Sequence, residues 1–150
     1  MDGVRLWNLN REDVKMSDTP PDATPQAPGF AALYASQERA AIRDLARAEL
    51  EKGADAAALA RDYAQRGKPD FALAYLLAGD LPDGERRAIY AEAFERRAAR
   101  TEAKARELDK TFHRAFPMLF SDAAQDRALA RRVRDGRGFS QGAGKQLPIM

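Results

Sequence analysis

The chain has 150 residues, 45% of them hydrophobic and 32% charged, with a net charge of +2. That balance belongs to one globular, water-soluble domain with a modest core. There is no cysteine, which excludes disulfides, thiolate nucleophiles and cysteine-ligated metals.

No apolar run approaches the roughly 20 residues of a membrane helix. The start also lacks the continuous apolar segment of a signal peptide. The chain holds 31 Ala and 19 Arg against 6 Lys. Alanine and arginine favour helix, and the same bias follows from a GC-rich genome. β-branched residues, which cover the faces of sheets, are scarce. The expectation is an all-α fold of about five helices in a bacterial, cytoplasmic protein. Charge drifts from −2 over residues 1–29 (3 basic, 5 acidic) to +3 over residues 117–150 (6 basic, 3 acidic).

Residues 17–29, SDTPPDATPQAPG, hold four prolines and no large apolar side chain, the composition of an extended arm. Residues 1–15 either extend a start at Met16 or form a small apolar anchor through Leu6, Trp7 and Leu9. A first helix is predicted over 30–52, with Ile42, Leu45, Ala46 and Leu50 on one face and Gly53 as its stop. A second runs over 55–66, with Asp55 as N-cap and Gly67 at its end. A third runs over 69–78, with Pro69 in its first turn and Gly79 after it.

A long helix follows, from about 83 to 115. Its stripe is Tyr90, Phe94, Ala98, Thr101, Ala105, Leu108, Phe112 and Ala115, a near-heptad seam with small residues in the middle. Pro117 is read as its breaker and Ser121 as the N-cap of a last helix over about 122–134. The organisation predicted is an N-terminal arm (1–29), a helical domain (30–135) and a C-terminal tail (136–150).

Within residues 53–86, Leu59, Ala60 and Tyr63 give a large–small–aromatic series on one helix. Gly67 sits at the turn, and Ala72, Leu76 and Gly79 follow on the next helix. This stretch resembles one tetratricopeptide repeat, a family of paired antiparallel helices whose small residues let the two approach. It departs from that pattern at Ala56, Pro69 and Pro82, and no second copy lies 34 residues away in either direction. The resemblance implies a hairpin that binds a protein partner. Its open side must be completed by the long helix, by a second subunit or by another protein.

Residue types that carry chemistry are few. His113 is the only histidine, so it cannot build a histidine metal site alone. Glu92, Glu95, Glu102, Glu107 and Asp109 all have basic neighbours within four residues, the pattern of a salt-bridged surface. Gly142–Lys145 falls short of a phosphate loop: Phe139 replaces the first glycine and Gln146 the magnesium-binding hydroxyl. No catalytic, cofactor-binding or metal-binding residue is assigned.

The reading is therefore a non-enzymatic protein–protein interaction or scaffold module. Tyr63, Tyr75, Tyr90 and Phe94 are its candidate partner face. Self-association through the Ala98–Thr101–Ala105 seam is the nearest variant. The alternative is nucleic-acid association through Arg127, Arg131, Arg134 and Arg137, with Phe139 and the glycine-rich tail supplying stacking.

Overall fold

A computed structural model describes residues 28–139, and these are all-helical. The order is α1 (Phe30–Tyr34), a 3₁₀ turn (Ala35–Gln37), α2 (Ala40–Glu51), α3 (Ala56–Gln65), α4 (Pro69–Ala78), α5 (Asp83–Phe112) and α6 (Pro117–Arg134). The expected apolar anchor Leu6, Trp7 and Leu9, and the tail beyond Phe139, lie outside the described residues.

The helix predicted over 30–52 is two helices. Backbone at Glu38 and Arg39 is extended, with ψ near 136° and 130°. The break lets two surfaces point to different neighbours. Phe30 and Tyr34 are completely buried in an aromatic cluster, while Ile42, Ala46 and Leu50 turn toward α4. Leu45, expected on that inner face, is 59% exposed.

α3 and α4 form the predicted hairpin. Asp55 caps α3 by accepting from the amides of Ala57 and Ala58 at 3.0 and 3.4 Å. At the turn, Gly67 N–H bonds the Ala64 carbonyl and Lys68 N–H the Tyr63 carbonyl, each at 3.0 Å. This pairing closes the helix end only if the residue at 67 is left-handed, and Gly67 has φ +71°. A Cβ there would also stand 3.0 Å from the backbone nitrogen of Arg97, so the turn lies against α5 itself. Arg100 of α5 donates to the Arg66 carbonyl at the same turn. The chain's own long helix thus completes the hairpin. α4 is apolar all round, carries a buried run from Ala72 to Leu76, and is contacted by α2, α3 and α5.

α5 ends earlier than expected. His113 takes a left-handed conformation (φ 56°, ψ 40°) and its amide bonds the Asp109 carbonyl. Pro117 opens α6 rather than merely breaking α5, because a proline in the first turn forfeits no helical hydrogen bond. Ser121, predicted as the cap, is therefore inside the helix.

α6 runs back antiparallel along α5 in the most extensive helix–helix contact of the fold. Ala98 and Ala105 on α5, and Ala123 and Ala130 on α6, have no exposed surface. The small-residue seam, considered above as a route to a dimer, is covered by α6 of the same chain. Close approach of alanine-lined helices is what such residues permit.

Candidate functional site

Two of the regions that depart from a plain closed bundle bring aromatic side chains together. The first is a cleft of about 510 Å³ bounded by the start of α2, the first turn of α4, α5 and α6. Its floor is aromatic. Tyr90 and Phe94 from α5 meet Phe139, with ring centroids 5.9 Å (Tyr90–Phe139) and 5.7 Å (Phe94–Phe139) apart. Behind them stand Phe30 and Tyr34, and the Tyr34 hydroxyl donates to the Arg137 carbonyl at 2.6 Å. Burial raises the pKa of both Tyr34 and Tyr90, so both stay neutral; Arg87 and Arg132 partly oppose the effect at Tyr34.

Phe139 was expected in a loose tail, as a stacking residue for nucleic acid. It is 7% exposed and belongs to the core, so packed structure extends past the predicted boundary at 135.

The rim of the cleft is cationic. Arg39 pairs with Asp70 at 3.0 Å. Arg97 is held by Asp126 through two bonds of 2.9 and 2.8 Å, which favour its charged form and raise its pKa. Asp126 is the one buried charged residue among those described, at 7% exposure. Arg132 donates to the Gly138 carbonyl at 2.9 Å, and its Nε is buried without an acceptor.

The second region is the far end of the α5–α6 hairpin. Past Arg100, hydrogen bonds and ion pairs from α5 side chains run only within α5 or to α6 among the described residues. From there to Phe112 the helix extends for roughly 18 Å at 1.5 Å per residue. At its end Phe112 is 58%, Met118 73% and Phe120 38% exposed. Phe116 is half-buried, with its ring 6.3 Å from that of Phe112 and the Arg114 guanidinium over its face.

The four residues expected as one partner face do not form one. Tyr63 stacks between Phe71 and Tyr75, with centroids 5.0 and 5.7 Å away, at a small slot of about 200 Å³ beside Leu45. Tyr90 and Phe94 belong to the aromatic cluster under the cleft. Tyr75, Tyr90 and Phe94 are 3%, 2% and 5% exposed, so they serve mainly as core.

The arginines considered for nucleic acid are largely turned to carboxylates of the same chain. Arg127 bonds Glu102, Arg134 bonds Glu95, and Arg137 bonds Asp135. Arg131 is exposed and makes no ion pair among the described residues. Glu92 pairs with Arg96, so Glu92, Glu95 and Glu102 face arginines, whereas Glu107 and Asp109 make no ion pair among the described residues. His113 is exposed. Among the described residues no group of three or more His, Asp or Glu is placed to hold a metal ion, and no helix is long and apolar enough to cross a membrane.

Sequence reasoning missed both regions. Arg97 and Asp126 are 29 positions apart, and only the register of α6 on α5 brings them together. Phe112 was visible as a stripe residue. Its exposure follows from α5 and α6 ending together, with no other described helix hydrogen-bonded to them there. Comparison with protein-family models, curated proteins and solved structures finds no match to this chain.

Proposed function

We propose that the chain is a non-enzymatic protein–protein interaction module that docks its partner through the tip of the α5–α6 hairpin. The observation that carries this reading is the exposure of Phe112, Met118 and Phe120 at one end of a projecting hairpin, where the other large apolar groups among the described residues are mostly buried. Clustered exposed apolar side chains of this kind mark contact surfaces, and aromatic residues and methionine are enriched in interface cores. The tetratricopeptide-like pairing of α3 and α4 supports the scaffold part of the reading. With its open side closed by α5, that hairpin acts as a base that holds the projection rather than as a groove.

A photocrosslinking residue, p-benzoylphenylalanine, at position 118 tests this in the cells of origin. The expected result is a discrete adduct that disappears when Phe112 and Phe120 are changed to serine. An adduct of twice the chain's mass would identify a second copy as the partner. No adduct at 118, or the same adducts from a probe at the exposed Lys52 just after α2, would overturn the reading.

A further inference from the structure

Four large apolar side chains are exposed among the described residues. Three of them crowd the hairpin tip; the fourth, Leu45 on α2, stands apart at a slot of about 200 Å³. α2 and α3 both pack on α4 and barely touch each other, and the slot opens between them. Leu45 and Glu49 of α2 line one side, Leu59 and Tyr63 of α3 the other, and Phe71 and Tyr75 of α4 the base. Leu59, Tyr63 and Phe71 are half-buried, so each still presents surface to an occupant. Tyr63 is stacked between Phe71 and Tyr75, tilted by 20° and 8°, so its faces are covered and its edge is what remains open.

A ring edge attracts the face of another aromatic ring, and a buried indole needs an acceptor for its N–H. Glu49, 52% exposed at the mouth, supplies one. An apolar slot with room for one large side chain, ring edges in its wall and one acceptor at its mouth matches a tryptophan. The described residues contain none. The chain's only tryptophan, Trp7, lies outside them in the apolar run Leu6–Trp7–Asn8–Leu9, and twenty residues (8–27) join it to the fold.

A segment of that length spans on the order of 25 Å even as a random coil. A domain of 112 residues (28–139) has a radius of gyration of about 13 Å, so the slot is within range. The tether also decides between this chain and another protein. A lone indole anchor in a partly open slot binds at about 1 mM when free. Tethering supplies an effective concentration of several millimolar, on the order of a thousand times that of a micromolar partner. We infer that Trp7 of the same chain occupies the slot between α2 and α3, with its ring against the edges of Tyr63 and Phe71 and its N–H toward Glu49.

The full chain tests this directly, because Trp7 is its only indole fluorophore. Its emission is expected at shorter wavelength than in the urea-unfolded chain. Acrylamide quenching should be about threefold weaker, the protection that follows when most molecules fill the slot. Leu45→Glu puts a charge in the slot at an exposed helix position. Helicity by circular dichroism should stay unchanged while emission and quenching return to those of the unfolded chain. Ala78→Glu, in the separate groove between α1, α2 and α4, and Met118→Ser, at the hairpin tip, should change neither signal. Trp7→Ala should shift the amide resonances of Leu45, Leu59 and Phe71.

Unfolded-like emission from the parent chain, retained protection in Leu45→Glu, or unmoved amides in Trp7→Ala would each overturn the proposal. So would release of the indole by Ala78→Glu or Met118→Ser, which would place it in the other groove or on the tip. Protection lost on dilution would assign the indole to a second copy and overturn docking within one chain.

Discussion

Along α5, residues 89–98 and residues 99–112 continue one helix through different surroundings. In the first stretch Ile89, Tyr90, Ala91, Ala93, Phe94 and Ala98 are buried, with α1, α3, α4, α6 and Phe139 around them. In the second only Ala105 is buried, and beyond Arg100, which bonds the end of α3, the sole helix bonded to it among those described is α6. The base is held by large aromatic side chains, each contributing on the order of 2 kcal/mol through burial, plus edge-to-face ring contacts. The projection is held by alanines, whose methyl groups bury little area, and by directional pairs. Glu95–Arg134 and Arg97–Asp126 tie α6 to the base stretch, Glu102–Arg127 ties it to the projection, and together they fix the register of the hairpin. Apolar packing supplies stability without direction; ion pairs supply direction with less stability. A hairpin that must project rigidly from a small base needs both.

The contrast can be broken most severely at the base. Tyr34→Ala removes a completely buried ring and the hydrogen bond to the Arg137 carbonyl. The expected loss is about 4 kcal/mol in urea unfolding, much of the stability of a small domain. Gly67→Ala attacks the place where hairpin and long helix meet. A left-handed alanine costs roughly 1–2 kcal/mol, and contact with the Arg97 backbone adds to it, for a total of about 3 kcal/mol. If Gly67→Ala is neutral by thermal melting, the close approach of the turn to α5 is wrong.

At the root of the projection, Asp126→Ala leaves Arg97 without its partner, and a loss of about 2 kcal/mol is expected. Arg97 is 43% exposed, so water recovers part of the deficit and the cost stays below that of Tyr34→Ala. The smallest effect depends on pH. Burial raises the Tyr90 pKa above its ordinary value of 10.0. Above about pH 10 the unfolded chain releases a proton that the folded chain keeps, so stability falls as pH rises; below that, this group has no effect. Tyr90→Phe should therefore flatten the alkaline decline by about 1 kcal/mol between pH 10 and 11, read from melts of both proteins.

Local signals carried the parts of the fold that were legible in the sequence. Asp55, Gly67, Pro69 and Gly79 act on backbone within a few residues, and the ends of α3 and α4 fall where those residues place them. The break at Glu38–Arg39 has no glycine or proline to announce it. It exists because Phe30 and Tyr34 have partners on α5 and beyond α6, which no local pattern encodes. Pro117 has two local meanings, helix stop and first-turn residue, and only the structure distinguishes them. The stripe on α5 packs inward from Tyr90 to Ala105 and leaves Phe112 exposed, while Tyr63 and Tyr75, expected to share a face with Tyr90 and Phe94, belong to a different stack. The cleft joins residues from position 37 to position 139, so composition and spacing give no hint of it.

The claim that the molecule is a firmly packed base carrying a less stable projecting hairpin is tested most directly by native-state hydrogen exchange. Amides over 89–98 on α5 should exchange only through global unfolding. Those over 103–112, and over 120–125 on α6, should open earlier, and Asp126→Ala should accelerate the second group far more than the first. Equal protection along the whole of α5, or a uniform response to Asp126→Ala, would contradict the account.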